Sequence, residues 1–135
     1  MIEINNLSKK SLNIENFSTV AKKVLSGENR ETENISLAFV EKEEIQKLNN
    51  KFRNKDKATD VLSFELNDKG YLGEIIICLE VVRENAKKDK VTVKSELLKV
   101  FVHGILHLCG YDHEKSNKEA EEMEKKQEKY LSKTK

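Results

Sequence analysis

The chain has 135 residues, 36% charged and 37% apolar, with 25 Lys and Arg against 24 Asp and Glu for a formal net charge of +1. That length suits one domain spanning residues 1–135, and the near-cancelling charges exclude a protein that holds nucleic acid through bulk positive charge. No apolar run reaches the roughly 18 residues of a membrane span, the start of the chain lacks a signal pattern, and Cys78 and Cys109 are too few for a disulfide framework, so a cytoplasmic protein without membrane association is expected.

Ile2 and Ile4 alternate at the start, a short strand at most. Phe17, Val20, Ala21, Val24 and Leu25 recur at helical spacing over residues 12–25, with Gly27 as the expected C-terminal cap. ISLAFV at 35–40 reads as a strand. Residues 43–50 read as a short helix with Ile45, Leu48 and then Phe52 on its apolar face. KFRNKDKATD at 51–60 is polar and basic, and reads as a loop. In VLSFEL at 61–66, Leu62, Phe64 and Leu66 alternate with polar residues, as in a strand with one buried face. Turn residues at 67–70 lead into YLGEIIICL at 71–79, apolar on both faces and so a central strand; the two form an antiparallel hairpin. Residues 80–90 are helical. Thr92 caps a longer helix running to Cys109, and a charged helix over 115–133 docks by a stripe of Ala120, Met123, Gln127 and Tyr130. The expected fold is α/β (α+β): a mixed sheet of about four strands with about five helices.

All three histidines fall within HGILHLCGYDH at 103–113. His103 and His107 stand one helical turn apart and project from one face. Gly110 ends the helix in a left-handed conformation, letting the chain bring back His113. Three imidazoles leave a tetrahedral Zn2+ with one position open for water, the mark of a catalytic site. A lone histidine on an apolar helix is more often a core residue, but three at this spacing favour a metal. Cys109 as a fourth ligand would close the site, yet two residues after His107 it turns to another side of the helix. The spacing matches H-E-x-x-H-x-x-G-x-x-H of the metzincin proteases except at Gly104, where those enzymes carry their general base. That difference argues against peptide hydrolysis.

The histidine segment resembles H-G-x-L-H-L-x-G-Y-D-H, the signature of the YbeY family of bacterial endoribonucleases. Leu48-Asn49, Phe52-Arg53 and Thr59 to Phe64 resemble that family's L-N-x-x-[YF]-R and P-T-D-V-L-S-F segments, and Gly73-Glu74-Ile75 its G-[DE]-I element. Ala58 stands where the family usually has Pro. The resemblance implies a metal-dependent, single-strand-specific endoribonuclease acting in maturation of the 16S rRNA 3′ end and in ribosome quality control. It implies zinc on His103, His107 and His113, an arginine important for activity at Arg53, and single-stranded rRNA and the ribosome or its small subunit as partners.

The chemistry of the residues agrees. Zinc acidifies water without the missing glutamate. Arg53, one of three arginines in a Lys-rich chain, offers a planar fork for phosphate, amid Lys51, Lys55 and Lys57. Asp60 is expected either to orient Arg53 or a ligand histidine or simply to form the turn. Glu74, on a central strand where an unpaired carboxylate is costly, is expected to face the site and orient a ligand or transfer a proton. Two other readings compete: a zinc peptidase using Glu74 as base, and a ribosome-associated factor whose metal is structural. Metal identity, RNA sequence preference, the nucleophile and the oligomeric state are not legible.

Overall fold

The structure, a computed structural model, describes residues 2–8, 16–66, 70–111 and 116–132. In chain order the elements are β1 (Ile2–Asn6), α1 (Phe17–Gly27), β2 (Asn34–Phe39), α2 (Lys42–Arg53), β3 (Val61–Glu65), β4 (Tyr71–Ile77), α3 (Leu79–Asp89), α4 (Val93–Leu108) and α5 (Asn117–Ser132). The strands form one sheet in the order β1-β2-β4-β3. β1 and β4 each pair parallel to β2, and β3 pairs antiparallel to β4. The mixed α/β fold expected from the patterning is the one observed.

Strand alternation divides the core in two. Ile35, Leu37, Phe39, Ile75 and Ile77 pack with Phe17 and Val24 of α1 and with Phe101 and Ile105 of α4. Ala38, Leu62 and Ile76 pack on the other face with Ile45 of α2. Both faces of β2 and β4 are therefore covered, as their unbroken apolar runs require. Met123 and Tyr130 seat α5 on the larger cluster. β3 is an edge strand, and that edge is where the site lies.

Helix α4 lies close against the sheet at Gly104, where a Cβ would come within 3.1 Å of the Ile75 side chain and 3.2 Å of Ser63 Oγ. The position that holds glutamate in the metzincin pattern is thus a packing contact here. Ser63 Oγ donates to the Gly104 carbonyl at 3.4 Å, tying edge strand to helix.

Three local expectations change. The left-handed residue after α1 is Asn29, with φ 62°, rather than Gly27; Gly27 ends the helix where the Tyr130 ring leaves no space for a Cβ. Helix α2 continues past Asn50 through Arg53 and ends at left-handed Asn54, with φ 60°. A solvent-facing basic turn has the composition of a loop, and its cations also suit the negative end of the helix. Phe52, expected on the apolar face with Ile45 and Leu48, is 57% exposed, at the last turn of α2 beside the edge strand β3. The first residues expected in α1, the turn residues 67–69 and the start of the C-terminal helix lie outside the described residues.

Candidate active site

A groove of about 790 Å³ runs between α4, α5, β3 and the end of α2. Along α4, Glu96, Lys99, Val100, His103 and His107 line it; their spacing of three, one, three and four residues makes a single helical stripe. His103 is half-buried and His107 exposed. The helix is firmly ended at both termini. Thr92 Oγ1 accepts from the Ser95 N–H at 3.0 Å, the expected N-cap. At the other end Gly110 has φ 108°, its N–H donates to the His107 carbonyl at 3.1 Å, and the Tyr111 N–H donates to that of Leu106 at 3.2 Å. This is a Schellman turn, and it fixes the backbone beside His107. His113 and Asp112 lie outside the described residues; among those described, no three potential metal ligands converge.

Gln127, from α5, lines the same groove, and its Oε1 lies 2.5 Å from His103 Nδ1. An amide oxygen only accepts, so this contact is a hydrogen bond in the tautomer that carries the proton on Nδ1, which leaves the Nε2 lone pair for a ligand. The stripe on the C-terminal helix reads as a docking face; one of its members also bonds a candidate ligand. Sequence reasoning also missed Glu96, buried in the groove wall at 5% exposure. Its signal was a position seven residues before His103, two turns down the same helix face.

The opposite wall is cationic and aromatic. Arg53, Lys55, Lys57, Asp60, Phe52 and Phe64 line it. Arg53 is the last residue of α2 and is exposed. The connection to β3 is pinned by buried Asn49, whose Nδ2 donates to the Lys57 carbonyl at 3.0 Å, and by the Cys78 N–H, which donates to the Asp60 carbonyl at 2.9 Å. Asp60 is half-buried and its Oδ1 accepts from the Thr59 hydroxyl at 3.3 Å. Ala58, where the related motif has Pro, packs against the α2-side core.

Glu74 is not among the residues lining the groove. Its neighbours Gly73 and Ile75 face Leu108 and Gly104 of α4, so alternation turns Glu74 to the other face of the sheet. The register sets Glu74 opposite Phe64 of β3, on the α2 side of the sheet and outside the groove lining. Cys109 packs against the larger core, and burial pushes its thiol up to about 11.

Behind the histidine helix lies a polar cluster. Tyr111 donates to Glu28 Oε1 at 2.8 Å, Tyr130 donates to Glu28 Oε2, and Lys126 Nζ sits 3.4 Å from that oxygen. Burial raises the Glu28 carboxyl, but the hydrogen bonds from Tyr130 and Tyr111, with the Lys126 charge, outweigh it and hold the group below its ordinary value. Burial and the same carboxylate push Tyr111 up to about 12.

Two imidazoles facing a cationic wall across one groove suit chemistry on a phosphodiester, and comparison with known proteins agrees. The family model described as Endoribonuclease YbeY matches residues 3–135. Endoribonuclease YbeY of Thermotoga maritima is 40% identical over 131 residues, which is 97% of this chain and 87% of that protein. The protein of the same name from Bdellovibrio bacteriovorus is 48% identical over 102 residues, 76% of this chain and 67% of the other. The solution structure of TM1509 from Thermotoga maritima matches with a TM-score of 0.74 at 40% identity, over 99% of this chain and 89% of that one. With a family model that spans residues 3–135 and a relative 40% identical over 97% of the chain, the chain belongs to the YbeY endoribonuclease family and is an RNA hydrolase.

Proposed function

We infer that the groove cleaves single-stranded rRNA with the help of a zinc ion, and that its role is maturation of the 16S rRNA 3′ end and ribosome quality control in the cytoplasm. The observation that carries this reading is that His103, His107 and Arg53, distant in sequence, line one groove. The donor set fits a metal. His103 and His107 share a helix face, and the Gln127 amide oxygen holds the His103 proton on Nδ1, leaving Nε2 as the donor nitrogen. His103 and His107 would hold the ion together with His113, and zinc suits an imidazole set. When bound, it supplies Lewis acidity that lowers the pKa of water and offsets charge on phosphoryl oxygens.

The other roles belong to the chain's own groups. Arg53 holds phosphate oxygens with its fork and so places the scissile linkage against the histidine wall. Lys55 and Lys57 hold flanking phosphates. Asp60, in the groove wall, is the acceptor that orients a cation or an imidazole beside it. Gln127 keeps the His103 ring in one orientation and one tautomer. A peptidase reading lacks its base, since position 104 is a glycine packed on the sheet and Glu74 does not line the groove.

The test joins metal and turnover in one sample. Bound metal is quantified, and the protein is incubated with single-stranded rRNA with and without chelator. One metal per chain and internal cleavage that chelator stops and zinc restores are expected. Undiminished cleavage by metal-free protein would overturn the metal assignment, and stoichiometric metal without cleavage would overturn the substrate.

A further inference from the structure

Phe52 is an anomaly as a folding residue. It lies at the C-terminal turn of α2, 57% exposed, on a helix whose Ile45 is buried and whose Leu48 is half-buried. A benzyl group left in water contributes little to stability. It is not isolated, however. Its ring centre lies 5.2 Å from that of Phe64, with the planes at 65°, an edge-to-face pair that holds one ring against the other. Phe64 comes from the edge strand and is half-buried, so the pair is anchored in the sheet. Both rings line the groove that holds the histidines.

The surroundings are cationic. Arg53 follows Phe52 directly, and Lys55 and Lys57 line the same groove. The exposed Lys51 Nζ lies over the Phe52 ring, 5.2 Å from its centre, so a base stacking on that face displaces a solvated side chain. A rigid aromatic face set among cations suits a ligand that alternates flat apolar groups with negative charges at short spacing, which describes unpaired RNA. A base inside a duplex has neighbours on both faces and cannot offer one to a side chain. We propose that Phe52, backed by Phe64, is a stacking platform for one unpaired base of the RNA strand, next to the phosphate held by Arg53. The platform rests on the reading of this groove as the RNA site, and it supplies a physical reason for discrimination against duplex. It also sets register, because a base fixed on Phe52 fixes which phosphate reaches the histidine wall.

The experiment measures binding of the full metal-loaded chain to a short 2′-O-methyl single strand and to the duplex of the same sequence, over a range of salt. Phe52→Leu keeps an apolar side chain at an exposed position but removes the π face. It should weaken single-strand binding about tenfold, leave the slope against salt unchanged because no cation is lost, and leave duplex binding and thermal unfolding as they were. Phe52→Trp should restore or tighten single-strand binding. Single-strand binding by the Leu variant equal to that of the parent would overturn the platform while leaving the groove as the RNA site. Equal weakening on single strand and duplex would overturn it too, since stacking requires an unpaired base. A parent protein that binds neither RNA even at low salt would overturn both the platform and the reading beneath it.

Discussion

The histidine wall stands on α4, a helix buried on nearly every side, whereas the cationic wall hangs on the exposed last turn of α2 and the connection to β3. The first is held by the sheet at Gly104, by a side-chain cap at Thr92 and by a Schellman turn at Gly110. The second is held mainly by Asn49 and by backbone bonds to its neighbours. The difference follows from what each must bind. A metal needs donors placed to within fractions of an ångström, which packing supplies. Phosphates of a flexible strand need charge that stays solvated until the ligand arrives, because burying a lysine without a partner is costly. Damage to the two walls should therefore be separable by experiment.

The largest effect belongs to His107. It is exposed, so His107→Ala should fold normally. Bound metal should fall well below one per chain, and RNA cleavage should fall by more than the roughly 10- to 100-fold that loss of an outer-shell partner costs. Unchanged metal stoichiometry would remove this histidine from the metal site. Arg53 should behave in the opposite way. Arg53→Ala should keep metal and fold while cleavage falls about 10- to 100-fold, the equivalent of roughly 1.5–3 kcal/mol for charge-assisted bonds. Its salt slope should drop by about 0.7, the share of one phosphate on a single strand, and Arg53→Lys should recover only part because a point charge replaces a fork. Full activity in the alanine variant would dissociate the two walls altogether.

How far each wall was legible follows from the range of the signals. For α4 the signals are local: helical spacing, a threonine before the first turn, and a glycine three residues after His107. Each of these gave the element and its ends correctly. The face of Glu74 was not local. Alternation says that it opposes Gly73 and Ile75, but which face α4 covers is decided only when the helix packs. Phe52 shows the same limit in reverse, since its spacing from Ile45 and Leu48 is helical but how much of the ring is covered is decided only when α2 meets the edge strand. Gln127 lay on a stripe correctly read as inward-facing; that it ends at His103 depends on the docking of α5 across 24 residues of chain.

Gln127 therefore makes a sharper test of the histidine wall than the ligands do. Gln127→Leu has similar volume and a half-exposed position, so the fold should survive. Loss of the acceptor for His103 Nδ1–H should weaken metal affinity about tenfold, the low end of what outer partners contribute, measured by competition with a chelating dye. Gln127→Glu should retain affinity, because a carboxylate accepts the same proton. Equal affinity in the leucine variant would reduce Gln127 to a docking residue.

The smallest effect, and the one with a pH signature, belongs to the cluster behind α4. The Glu28 side chain is 9% exposed and takes bonds from Tyr111 and Tyr130 with Lys126 beside it. Its folded pKa lies below the ordinary 4.5 because those partners outweigh its burial. A depressed carboxylate contributes stability that is complete above its unfolded pKa and disappears as pH falls through the folded one. Glu28→Gln should therefore lower stability at pH 7 by about 1–2 kcal/mol, and the gap between parent and variant in urea or thermal unfolding should close as pH falls below about 4. A gap of constant size down to pH 3 would assign the effect to packing instead of charge. Tyr111 is the first residue after the Gly110 turn and Tyr130 lies on the helix that carries Gln127, so one carboxylate ties together the end of α1, the exit from α4 and α5. The variant should accordingly bind metal slightly more weakly at pH 7 even where it is fully folded, which Arg53→Ala should not.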